Sequence, residues 1–188
     1  MITSRKTTVV VLAAAVTLVA LSVLALAETG GAFGPRSLWR SGSSCAVPAL
    51  PGAVIDATLI NMGGPMTRGS GGSMDGGMMR VSLDKNTVTA GQVSFVAING
   101  GSVSHELVIL PLSDGQIVGT RTIGPDAKIE ENGSRGEASA TCAAGGGDGI
   151  APSSLGWVTV MLPAGHYEIV CDLPGHYAAG MYAQLVVA

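Results

Sequence analysis

The stretch Cys171-Asp172-Leu173-Pro174-Gly175-His176-Tyr177-Ala178-Ala179-Gly180-Met181 carries a thiol, an imidazole and a thioether, with four residues in each gap. Pro174-Gly175 is a turn signal, so the three groups belong to one short loop and not to a continuous strand or helix. Thiolate and thioether are soft donors and imidazole is borderline. Two His and one Cys with a weak, long axial Met form the donor set of a mononuclear copper electron-transfer centre. The loop supplies three of these four groups, so the second His must come from elsewhere, and His105 is the candidate.

His105 opens the run His105-Glu106-Leu107-Val108-Ile109-Leu110, after the strand-like Gln92–Ile98 and the turn residues Asn99-Gly100-Gly101. Alternation along a strand puts His105, Leu107 and Ile109 on one face. The same rule puts Tyr167, Ile169 and Cys171 on one face of the strand leading into the loop. Two inward-facing strand ends therefore meet at one pole of a barrel or sandwich.

These elements, the His105 strand, Tyr167-x-Ile169-x-Cys171 and the Cys171-x4-His176-x4-Met181 loop, resemble the cupredoxins, the small blue copper proteins. With Pro174-Gly175 directly before His176, the loop is most similar to the rusticyanin and sulfocyanin branch. The resemblance covers roughly Met79 to Ala188. It implies an all-β Greek-key β-sandwich holding one type 1 copper, with His105, Cys171, His176 and Met181 as ligands. It also implies outer-sphere electron transfer without substrate chemistry. Two departures stand out: many members carry Asn directly after the first His, where this chain has Glu106, and the interval from His105 to Cys171 is long. The second implies a loop inserted around 125–156.

Residues 1–27 read as an export segment. Arg5 and Lys6 precede the apolar run Val9–Ala27, which ends in Ala25-Leu26-Ala27, a small-residue cleavage pattern. The run is also close to the roughly 20 residues that span a bilayer, so residues 9–27 serve either as a cleaved signal or as an uncleaved membrane anchor. Both readings place the domain outside the cytoplasm, whether periplasmic, at the cell surface or secreted. Residues 28–78 are rich in Gly, Ser, Pro and Met and read as a linker, with a possible first strand at 53–60. Met62, Met66, Met74, Met78 and Met79 are tolerated linker residues in one reading and a Cu(I)-collecting arm in the other.

The domain expected over 79–188 contains strand signals at Met79–Leu83, Gln92–Ile98 with Thr87–Gly91 leading into it, Gln116–Ile123, Trp157–Leu162, His166–Val170 and Tyr182–Val187. Residues 127–136 read as a solvated polar surface. With Cys171 assigned to copper, Cys45 and Cys142 remain as a candidate disulfide, which an oxidising compartment permits. His166 lies five residues before Cys171 and faces the other way. Met161 is expected in the core and Asp172 on the surface.

The expected role is single-electron transfer between protein partners that dock briefly near His176, over an apolar patch of Pro174, Gly175, Tyr177, Ala178 and Ala179. The alternative is a copper carrier or storage protein. Three His in the whole chain, one of them facing away, exclude the extra ligands of a copper enzyme, so no catalysis is expected. A net charge of −3 with only 12% charged residues gives no electrostatic footprint for nucleic acid, and a monomer is expected.

Overall fold

In β5 (Leu107–Pro111) the apolar run is unbroken, and its first four residues are buried. A strand of this kind needs apolar cover on both faces, and the chain supplies it. A computed structural model describes residues 45–62 and 78–188. The leader at 1–27 and the Met-rich positions Met66 and Met74 lie outside the described residues. Among those residues the secondary structure is strands: β1 (Ala53–Met62), β2 (Met78–Leu83), β3 (Thr87–Val88), β4 (Gly91–Asn99), β5, β6 (Gly136–Ala138), β7 (Leu155–Leu162), β8 (Gly165–Val170) and β9 (Tyr182–Val187).

They form two sheets, ordered β2-β1-β4-β7 and β3-β9-β8-β5-β6. The inward residues of the first, among them Ile55, Leu59, Val93, Phe95 and Leu162, pack on Leu107, Ile109, Tyr167, Ile169 and Leu185 of the second. Cys171 and Met181 belong to that same core. The opposite face of the second sheet is also dry: Val108, Leu110 and Val170 pack there with Ile129, Tyr177 and Tyr182. The connection between β5 and β6 thus covers the sheet with Ile129.

Several expectations change here. The possible strand at 53–60 is β1, which pairs with both β2 and β4 inside the first sheet, so the sandwich includes residues on the N-terminal side of 79. Gln116–Ile123 is not a strand. Gly115 and Gly119 turn left-handed there, at φ of 77° and 82°, and interrupt extended chain. Within the polar span 127–136, Ile129 is buried because it caps the outer apolar face. Met161 is 66% exposed: Val160 and Leu162 point inward from β7, and alternation turns Met161 out.

The disulfide candidate is present, with Cys45 joined to Cys142 and their Cα atoms 5.0 Å apart. It ties the segment before β1 to the connection between β6 and β7. Cys142 N–H also donates to the Leu155 carbonyl at the start of β7, at 2.7 Å.

Candidate metal centre

A small polar cradle holds His105. Its backbone pairs with Ile150 in both directions, His105 N–H to the Ile150 carbonyl at 3.1 Å and Ile150 N–H to the His105 carbonyl at 2.7 Å. Asn99, at the end of β4, closes the turn before it. Its side-chain amide donates to the carbonyls of Val103 (2.8 Å) and Ile150 (2.7 Å), and its Oδ1 accepts from Gly101 N–H (2.8 Å). Asn61 reaches in from β1. Its Oδ1 accepts from Ser102 N–H at 2.7 Å, which fixes the amide orientation, and the same oxygen lies 3.2 Å from His105 Nε2. A carbonyl oxygen only accepts, so Nε2 carries the ring proton and Nδ1 keeps its lone pair.

The loop after β8 brings the other donors to that lone pair. Cys171 N–H donates to the Met181 carbonyl (3.0 Å), Met181 N–H to the His176 carbonyl (3.2 Å) and His176 N–H to the Leu173 carbonyl (2.9 Å). Gly175 makes the tight turn at φ 82°. Closed in this way, the loop puts His176 Nδ1 3.2 Å from Cys171 Sγ and 3.2 Å from His105 Nδ1. The donor atoms of His105, Cys171 and His176 all lie within 4.8 Å of one another. His105, Cys171 and Met181 are fully buried, and His176 is half-buried.

The electrostatics of the metal-free cluster fit a cation. Burial lowers the pKa of His105 to about 4, with a further contribution from His176, so the ring is neutral and its lone pair available at neutral pH. Burial also lowers that of His176. Desolvation raises the Cys171 thiol to about 12, against the lowering effect of N–H donors from Glu106 and Leu173. A metal bound there must displace the thiol proton. Two imidazoles and one thiol converging on one buried point suit copper better than magnesium or calcium, which take oxygen ligands.

Glu106 links the two halves of the site in two ways. Its N–H donates to Cys171 Sγ at 3.3 Å, and its Oε1 accepts from Asp172 N–H at 2.9 Å, tying the His105 strand to the ligand loop. Desolvation, and then Glu131, raise its carboxyl to about 7. Asp172 is buried at 1% exposure instead of lying on the surface, because Ile129 N–H donates to its Oδ1 at 2.6 Å and Lys128 stands 3.7 Å from its Oδ2. Tyr177, expected in the surface patch beside His176, is 2% exposed because its hydroxyl donates to buried Glu168. His166 is exposed, with Nδ1 3.4 Å from Gln184 Nε2, and takes no part in the cluster.

Asn61 and Ile150 were not singled out from the sequence, and Asn99 and Gly101 only as turn residues. Gly101 is required on steric grounds: a Cβ there would collide with Asn61 Oδ1 and come within 2.7 Å of His105 Nε2. Gly101→Ala is therefore expected to push Asn61 off the ring and weaken copper binding by about 10- to 100-fold, the usual effect of losing a partner of a ligating His. Competition against a chelator of known affinity measures it.

Two packed sheets, with His105 ahead of one strand and Cys171 and His176 on the loop after another, define a cupredoxin. The chain belongs to the sulfocyanin family, since the sulfocyanin (SoxE) domain matches residues 72–188. It is 30% identical over 110 residues to the copper-resistant cuproprotein CopI of Rubrivivax gelatinosus, a match covering 58% of this chain and 60% of that protein. The chain thus spans less than two thirds of that relative's length. Similar solved structures include auracyanin A from Chloroflexus aurantiacus, at 19% identity and a TM-score of 0.42, covering 72% of this chain and 100% of that one. Rusticyanin from Thiobacillus ferrooxidans has 19% identity and a TM-score of 0.41, covering 78% of this chain and 88% of that one. Cupredoxins bind one copper, and His105, Cys171 and His176 form a cluster able to hold it.

Proposed function

We propose that this protein is an exported electron carrier whose single copper would be held by His105, Cys171 and His176, with Met181 as a fourth, weaker donor. The convergence of three donor atoms within 4.8 Å carries the reading. Met181 is included because it is fully buried and both its backbone polar groups bond within the loop that holds Cys171 and His176. Copper bound by such a set would supply one-electron Cu(II)/Cu(I) chemistry. The chain's residues keep the donors in place through the Ile150 bridge, the Asn61 amide and the closed loop, so little has to move. Export is supported by the Cys45–Cys142 disulfide, a bond that persists in oxidising compartments. Half-buried His176 lies between exposed Pro174 and Ala178, which suits brief docking of a redox partner over a small interface.

A second reading, copper handling, is favoured by the likeness to a copper-resistant cuproprotein. Two rates separate the readings. An electron carrier exchanges electrons with a small inorganic oxidant in milliseconds while keeping its metal for hours against a Cu(I) chelator. Loss of copper to the chelator within seconds, with sluggish electron exchange, would reject the carrier reading. His166→Ala serves as a control and is expected to leave the absorption spectrum unchanged within error, because the ring is solvent-exposed outside the cluster. Loss of the visible band in that variant would contradict the ligand assignment.

A further inference from the structure

Glu168 of β8 is a fully buried acidic residue, a placement that proteins rarely tolerate without partners. Its Oε1 accepts from Gly119 N–H (2.6 Å) and from the Tyr177 hydroxyl (2.8 Å), and its Oε2 from Arg121 Nε (2.6 Å). Arg121 also donates through Nη2 to the Pro111 carbonyl at 2.7 Å, and its backbone N–H donates to the Tyr177 hydroxyl at 3.1 Å. The Tyr177 hydroxyl thus both gives and accepts a hydrogen bond. Its ring is packed in the outer apolar cluster, 5.2 Å from the ring of Tyr182.

A buried ion pair is weak evidence for stability, since apolar residues of similar volume often serve as well or better. Position is what the network supplies. Glu168 lies on β8, three residues before Cys171 opens the loop, Tyr177 directly follows His176, and Gly119 and Arg121 belong to the connection between β5 and β6. Other hydrogen bonds hold the His105 side of the site, through Asn61, Asn99 and Ile150.

We infer that Glu168, Arg121 and Tyr177 are positioning residues that lock the ligand loop onto β8 and aim His176 Nδ1 at Cys171 Sγ. The inference rests on the copper reading above, although its structural half is open to test without metal. Tyr177→Phe keeps the ring and its apolar contacts and removes only the hydroxyl. In the metal-free full-length protein, amide hydrogen exchange at Ala179, Gly180 and Met181, whose N–H groups bond within the loop, is expected to speed up about tenfold. Exchange in β1 and β4 stays unchanged. In the copper-loaded protein, copper affinity falls by about 10- to 100-fold. The copper hyperfine splitting in the paramagnetic resonance spectrum moves as well.

Unchanged loop exchange, or an equal rise across β1 and β4, would overturn the inference, the second result marking a purely structural role. Should Tyr177→Phe not accumulate folded, Arg121→Lys is read the same way, since it keeps the charge beside Glu168 and loses the fork to Pro111. A wild-type protein without type 1 copper would defeat the functional reading while leaving the exchange result to stand for the loop alone.

Discussion

Cys171→Ser is expected to abolish the intense visible band of the copper-loaded protein while leaving the fold intact. The band requires charge transfer from a thiolate to copper, and Cys171 is the free cysteine among the described residues. A serine hydroxyl is a hard donor that does not ionise under these conditions and cannot supply that transition. Its size is close to that of the thiol, and it can accept the N–H of Glu106 as Sγ does, so the core around residue 171 keeps its packing. His105 and His176 remain, and the variant should bind Cu(II) weakly with an ordinary, wide hyperfine pattern. Absorption and paramagnetic resonance on the same sample check both points. A surviving blue band would remove Cys171 from the ligand set.

Removing the disulfide, by Cys45→Ala with Cys142→Ala, is expected to destabilise the protein by about 4 kcal/mol. The bridge closes a loop with a sequence separation of 97, and the chain-entropy estimate for a loop near that length is about 4.7 kcal/mol, while losses measured in small secreted domains run about 2–5 kcal/mol. At about 2–4 °C per kcal/mol for a domain of this size, the midpoint of thermal unfolding should fall by about 10 °C. The consequence reaches the site, because the loop anchored at Cys142 also presents Ile150 to the backbone of His105. The native chain, denatured without reductant, should correspondingly titrate one thiol. A midpoint unchanged within 2 °C of the native value, or three titrating thiols, would contradict this account of the bridge.

What the sequence revealed and what it concealed divide along physical lines. The Cys171–Met181 loop was legible because its donors are close in sequence and a Pro-Gly turn brings them together. His105 was legible from strand alternation, which also turned His166 away. Contacts between strands distant in sequence were not legible. Asn61 lies 44 residues before His105 and becomes its neighbour only because β1 runs parallel to β4, with Leu59 opposite Asn99. For the same reason 53–60 read only as a possible first strand set apart from the domain, since its apolar residues gave no sign of which strands flank it.

Burial of polar residues was the other blind spot. Asp172 and Tyr177 look like surface residues in a loop, and their partners come from elements distant in sequence: Ile129 and Arg121 N–H groups of the connection between β5 and β6 donate to them, and Glu168 of β8 accepts from the Tyr177 hydroxyl. That connection itself was misjudged. The polar residues of 127–136 suggested solvent and Gln116–Ile123 suggested a strand, whereas Ile129 completes an apolar cluster and Arg121 a buried ion pair. Glu106 is a further case, since its carboxylate reaches Asp172 N–H and links the two halves of the site, a contact between residues 66 apart in sequence.

The most direct test of the central claim is the visible absorption and paramagnetic resonance spectrum of the full-length protein after one equivalent of Cu(II). The arrangement of His105, Cys171, His176 and Met181 calls for an intense thiolate-to-copper band together with a narrow copper hyperfine splitting. A colourless protein with the wide splitting of ordinary Cu(II), or with no bound copper, would contradict it.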